Sequence, residues 1–119
     1  MAFDKLALKL RFKIWCYECL DRVNEIQVTP ENRVFLNQII RSATSSYMNY
    51  RAVCRAKSTA DMINKLKIVE EETDETIGWL EIISDRNKTA DTSKEMKEGD
   101  ELLRITVASI ITLKKKNKR

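Results

Sequence analysis

Histidine is absent from this 119-residue chain, which removes the commonest general base, the usual partner of a nucleophilic serine or cysteine, and the most frequent neutral metal ligand. Only two glycines, Gly78 and Gly99, and one proline, Pro30, occur. So few turn residues exclude an all-β chain, and no glycine-rich phosphate loop is present. No run of about eighteen apolar residues exists that could span a bilayer. The start Met1-Ala2-Phe3-Asp4-Lys5 lacks the pattern of a secretory signal, so a cytoplasmic protein without membrane contact is expected. The three cysteines, Cys16, Cys19 and Cys54, are an odd number and read as reduced thiols. Cys16-Tyr17-Glu18-Cys19 is formally a C-x-x-C, but a zinc site needs a second pair and a thioredoxin-like site needs a preceding strand. Neither metal nor cofactor is expected, and no residue is assigned a catalytic role.

What remains is rich in Lys, Glu, Leu, Ile and Ala, and its periodicity predicts an all-α chain, an antiparallel up-down four-helix bundle forming one domain over residues 1–119. The first segment, about residues 4–27, alternates apolar and polar like a strand at Leu6, Leu8, Leu10, Phe12 and Ile14. Leu8, Phe12, Trp15, Cys19, Val23 and Ile26 recur at spacings of three and four and decide for a helix. Thr29 as N-cap and Pro30 at the first helical position start a second helix, expected to reach about Ala56. Its predicted stripe is Leu36, Ile39, Ile40, Ala43, Tyr47, Tyr50 and Cys54. Ser58 with Asp61 resembles a capping box opening a third helix to about Asp85, with Ile63, Leu66, Thr73, Ile77 and Leu80 inward. After one polar loop, Thr92 with Glu95 is a second candidate box, and Met96, Leu103, Val107 and Ile110 are the expected core face of the fourth helix. Gly99 weakens that helix's first turns. Val34, Phe35, Met48, Val53, Ile68 and Trp79 fit no single core face, which favours self-association.

The net charge is +4, yet Lys114, Lys115, Lys116, Lys118 and Arg119 supply five positive charges. Without them residues 1–113 stand at −1. The basic character belongs chiefly to the tail 114–119, either a solvated helix end or a binding arm. Between Asn32 and Ala60 there is no acidic residue, whereas Arg33, Arg41, Arg51, Arg55 and Lys57 are basic. The four arginines fall within roughly 80° of arc, beside the predicted apolar stripe. Two uses are open to such a column: facing phosphates, or pairing with the carboxylates Glu70, Glu71, Glu72, Asp74 and Glu75 of the third helix. Glu70 lies on the predicted stripe and needs a partner, for which Arg41, Arg51 or Arg55 is the supply. Asn49 is expected to bond to a neighbouring helix.

The stretch Gln38-Ile39-Ile40-Arg41-Ser42-Ala43-Thr44-Ser45-Ser46 through Asn49-Tyr50-Arg51, Cys54-Arg55-Ala56-Lys57-Ser58 and Asp61-Met62-Ile63-Asn64-Lys65-Leu66 resembles the bacterial four-helix-bundle family, the ribosomal RNA intervening-sequence proteins. Ile68-Val69-Glu70-Glu71-Glu72-Thr73-Asp74-Glu75-Thr76 and Trp79-Leu80-Glu81 continue it, so the likeness covers about residues 38–83. The family pattern commonly carries a glutamate where this chain has Ala52, and a side chain where it has Gly78. The resemblance implies an up-down bundle assembled as a ring, usually a pentamer. Its fold is similar to the accessory proteins of diversity-generating reverse transcriptases, which bind the polymerase and nucleic acid. The expectation is therefore a non-enzymatic homo-oligomer with modest affinity for RNA or DNA through Arg41, Arg51, Arg55, Lys57, Lys114, Lys115 and Lys116. Asn49, Ser58, Glu70 and Glu75 make up its structural motif. A protein-interaction module without nucleic acid, or a reverse-transcriptase accessory, is the alternative.

Overall fold

The computed structural model describes residues 4–118, and they form four α-helices: α1 Lys5–Asn24, α2 Pro30–Cys54, α3 Thr59–Arg86 and α4 Ser93–Asn117. Each start has a local cause. The Asp4 carboxylate accepts the amides of Leu6 and Ala7, Thr29 Oγ1 accepts that of Asn32 at 3.0 Å ahead of Pro30, and Ser58 Oγ accepts that of Asp61 at 3.0 Å. The return bond of the expected capping box goes one residue further back, from the Lys57 amide to Asp61 Oδ2. Connections this short make sequence neighbours antiparallel. The bundle measures 52 × 20 × 20 Å. Helices pack α1 on α2, α2 on α3 and α3 on α4, while α1 closes only loosely on α4 and lies diagonally across the core from α3. No helix among the described residues is long and apolar enough to cross a membrane.

In α1 the core residues are the expected Leu8, Phe12, Trp15, Cys19 and Val23, with Cys16 added and Ile26 following in the loop. The Phe12 ring stacks on Tyr50 at 4.9 Å and meets Trp15 edge-on. In α2 the buried line is Leu36, Ile39, Ala43, Ser46, Tyr50 and Val53, rotated from the predicted stripe. Val53 is fully buried where exposure was expected, and Ile40 is exposed where burial was. The rotation has a chemical reason. Ser42 and Ser46 turn inward because their hydroxyls reach carbonyls of their own helix, Ile39 and Ser42, and Thr76 donates to Ser42 across to α3.

The fourth helix departs further. Its buried face is Glu95, Gly99, Leu102, Thr106, Ser109, Ile110 and Leu113, so of the expected Met96, Leu103, Val107 and Ile110 only Ile110 is buried. Thr106 and Ser109 satisfy their hydroxyls on Leu102 and Ile105 carbonyls. Gly99 sits inward because Trp15 occupies the space beside it: a Cβ there would lie 2.6 Å from the indole and 2.9 Å from Ile77. Thr92 does not cap α4 with its side chain. Its hydroxyl donates to the Leu80 carbonyl at 3.0 Å, and Asp91 instead takes the Ser93 amide and hydroxyl.

Candidate nucleic-acid interface

The buried line of α2 lies roughly 150° around the helix from its arginines, taking 100° per residue. The column is therefore on the solvent face rather than beside the core, and Arg33, Arg41, Arg51 and Arg55 are all exposed. Their commitments differ. Arg41 bridges α2 to α3, donating to Glu72 Oε2 at 3.1 Å and to Glu75, with Gln38 behind it. Trp79 Nε1 donates to the same Glu75 carboxylate, and its ring tilts against Phe35. Glu75, followed by Glu72, holds the Arg41 guanidinium above the ordinary arginine pKa. Arg51 lies over the Tyr47 ring, 5.8 Å from its centroid, and donates to the Tyr47 hydroxyl. Among the described residues no carboxylate pairs with Arg51, Arg55 or Lys57.

Two expectations are overturned. Glu70 pairs with no arginine of α2; half-buried, it lies on the α4 side of α3 beside Leu103 and Val107, because the core line runs through Val69 and Thr73 and turns Glu70 away from α2. The buried carboxylate is Glu95, which receives Arg22 Nε at 2.9 Å. Asn49 bonds within α2, donating to the Ser45 carbonyl and hydroxyl, and not to another helix. Ser58 serves as the α3 cap, Glu75 is the Arg41 partner, and Lys114, Lys115 and Lys116 are exposed on the last turns of α4. Helix therefore runs almost to the end of the basic tail, with Arg119 outside the described residues.

Topology adds what the linear sequence hides. The Cys54 thiol approaches the Lys5 carbonyl, Asn32 and Asn87 exchange amide hydrogen bonds, and Asp4 and Thr112 line one groove. The start of α1, the end of α2, the start of α3 and the end of α4 thus share one end of the bundle. Residues 4–9, 51–67 and 114–118 bring eleven basic side chains there, Lys65 and Lys67 included, against two acidic ones, Asp4 and Asp61. Both acids are engaged, Asp4 as the α1 cap and Asp61 with the Lys57 amide and Lys65. At the opposite end, residues 18–33 and 81–98 carry nine acidic and six basic residues. An end with this excess of positive charge presents an attractive potential to a polyanion.

The thiols form no disulfide, and burial pushes Cys16 and Cys19 above the ordinary thiol pKa. No cluster of three or more metal-ligating side chains occurs among the described residues.

No protein-family model matches the chain, and no curated protein matches its sequence. A solved structure is similar to it, a protein of unknown function from the S23 ribosomal protein family of Bacteroides thetaiotaomicron VPI-5482. The two are 25% identical, the match covers 89% of this chain and 96% of that one, and the TM-score is 0.77. The chain is thus similar in structure, over nearly its whole length, to a protein of the S23 ribosomal protein family whose function is itself unknown.

Proposed function

We propose that this protein is a non-enzymatic, self-associating helical bundle that takes the phosphate backbone of RNA or DNA on its basic end. The observation that carries this reading is the convergence of unpaired Arg51, Arg55 and Lys57 with Lys114, Lys115 and Lys116 on one end of the bundle. A face about 20 Å across holds them, wide enough to meet several phosphates of a nucleic acid at once. The contact proposed is to backbone phosphates, with affinity alike for every sequence.

Self-association is supported by a second apolar line on α1, Leu6, Leu10, Ile14 and Tyr17, exposed on the side away from the core. Membership of the ring-forming intervening-sequence proteins, with a pentamer as the assembly and the cytoplasm as its place, belongs to the same proposal. A protein-interaction module without nucleic acid is the second reading, favoured by one observation: Arg41 is already consumed by Glu72 and Glu75. In that reading the partner is a protein, a reverse transcriptase being one candidate.

The test is binding of fluorescent RNA and DNA across a salt series, with the full chain and with a chain ending at Leu113. Affinity that falls steeply with salt, by a log-log slope near −0.9 for each duplex phosphate neutralised, and that drops without vanishing on truncation, supports the basic end. Absence of binding at low salt leaves the interaction module.

A further inference from the structure

Helix α1 is apolar on two opposite sides. Leu8, Phe12 and Trp15 enter the core, while Leu6, Leu10, Ile14 and Tyr17, at spacings of four, four and three, make a line roughly 170° away and stay about half exposed or more. Beside that line stand Lys9 and Lys13, which meet no carboxylate among the described residues. Helix α3, diagonal to α1 across the core, carries the complementary arrangement on its own outward side. Ile68 and Ile82 are exposed there, and Glu71 beside them, with Asp74 further round toward the α4 groove, meets no cationic side chain among the described residues. Gly78 leaves that surface open, with nothing within 4 Å of where its Cβ would stand.

We propose that the α1 line of one copy docks on the outward side of α3 of a second copy, with Lys9 and Lys13 facing Glu71 and Asp74. This deepens the self-association proposed above and rests on it. The charges choose the occupant. A parallel α1-on-α1 contact offers Lys9 and Lys13 no carboxylate, since none occurs from Lys5 to Tyr17, and an antiparallel one sets Leu6 opposite Tyr17. Lys13 of one copy then lies beside Lys9 of the other, and like charges oppose the contact. The α3 face supplies apolar area together with the missing negative charge. Because the two surfaces are on diagonal helices, each copy presents both, and the contact is head-to-tail. It therefore continues past a dimer until rotation closes it or a filament forms.

The experiment is the mass of the full chain by light scattering and sedimentation over a concentration series, for the wild type, Ile14→Glu, Lys13→Glu, Glu71→Lys and the Lys13→Glu/Glu71→Lys double variant. The wild type is expected to assemble beyond a dimer and Ile14→Glu to be a monomer of unchanged helicity. Each single charge reversal weakens assembly by about tenfold, and the double variant recovers most of it. An oligomeric wild type indifferent to both charge reversals, or a double variant weaker than either single one, overturns this pairing and leaves self-association standing through another face. A wild type that stays monomeric across the micromolar range overturns both. Since Lys13 is only half-buried, Glu71 is exposed and neither is paired among the described residues, the charge-reversal series decides even if Ile14→Glu fails to fold.

Discussion

The indole Nε1 of Trp15 donates to the main-chain carbonyl of Glu95 at 2.8 Å, tying the middle of α1 to the first turn of α4. That bond brings the ring against Gly99, one turn on, where the absence of a side chain makes room for it. Alanine elsewhere in a helix gains up to about 1 kcal/mol over glycine, but overpacking a core costs about 1–3 kcal/mol. The nearer neighbour of the new methyl is not free to yield, since Trp15 is fully buried and hydrogen-bonded. Gly99→Ala is therefore expected to lower the melting temperature by several degrees. Gly78→Ala, with open space around the new methyl, should raise stability by about 0.5–1 kcal/mol. Thermal unfolding followed by circular dichroism reads both signs.

Glu95 is 3% exposed and its charge is met by Arg22, itself about a quarter exposed and also bound to Glu25. Removing the guanidinium strands a carboxylate in the bundle. A fully buried broken pair costs about 3–5 kcal/mol, and the exposure of Arg22 discounts that to about 2–3 kcal/mol for Arg22→Ala. Glu70 has no such partner, so Glu70→Ala should fall within about 0.5 kcal/mol of the wild type. Denaturant unfolding of the two variants side by side reverses the order that the apolar pattern of α3 suggests.

The first helix and the start of the second are legible because large apolar side chains and a local cap carry them. Leu8, Phe12, Trp15, Cys19 and Val23 mark α1, and Thr29-Pro30 marks the start of α2, since cap chemistry is local. The strand-like alternation from Leu6 to Ile14 has a simple origin in hindsight: two apolar lines on opposite sides of one helix interleave in sequence. Small residues were misread. Gly99, Thr106 and Ser109 look like poor core residues, and only the bulk of Trp15 and the self-bonding of the hydroxyls explain why they face inward. The same error turned α2 and placed its arginines beside the core. The basic end is not visible in the linear sequence because its parts lie in separate segments that only the up-down topology gathers, and placing each helix-terminal charge on that topology reveals it.

Asp61 holds the Lys57 amide and Lys65, and Asp91 holds the hydroxyl and amide of Ser93. Lys65 above all pulls the Asp61 pKa below its ordinary value, and the Ser93 hydroxyl does the same for Asp91. A group whose pKa is lower folded than unfolded stabilises the fold above its unfolded pKa, near 3.9 for aspartate, and loses that contribution as pH falls through the folded value. The melting temperature should therefore drop as the solution is taken below about pH 4. In Asp61→Asn the drop should be shallower and the neutral-pH stability lower. A pH series of melting curves on the two proteins checks the difference in slope.

Arg41 and Arg55 are both exposed on α2, yet they have unlike neighbours. Arg41 is held by Glu72 and Glu75 near the middle of the bundle, so a phosphate there would compete with two carboxylates for the guanidinium. Arg55 stands at the end of α2, beside Lys57 and without a carboxylate partner. Arg41→Ala should leave the salt slope of nucleic-acid binding unchanged. Arg55→Ala should lower its magnitude by about one unit, with affinity falling alike for every sequence tested. Equal losses from the two variants would mean that phosphates run along the whole arginine column, opening the Arg41 bridge as they bind. That outcome would move the interface from the end of the bundle to its side.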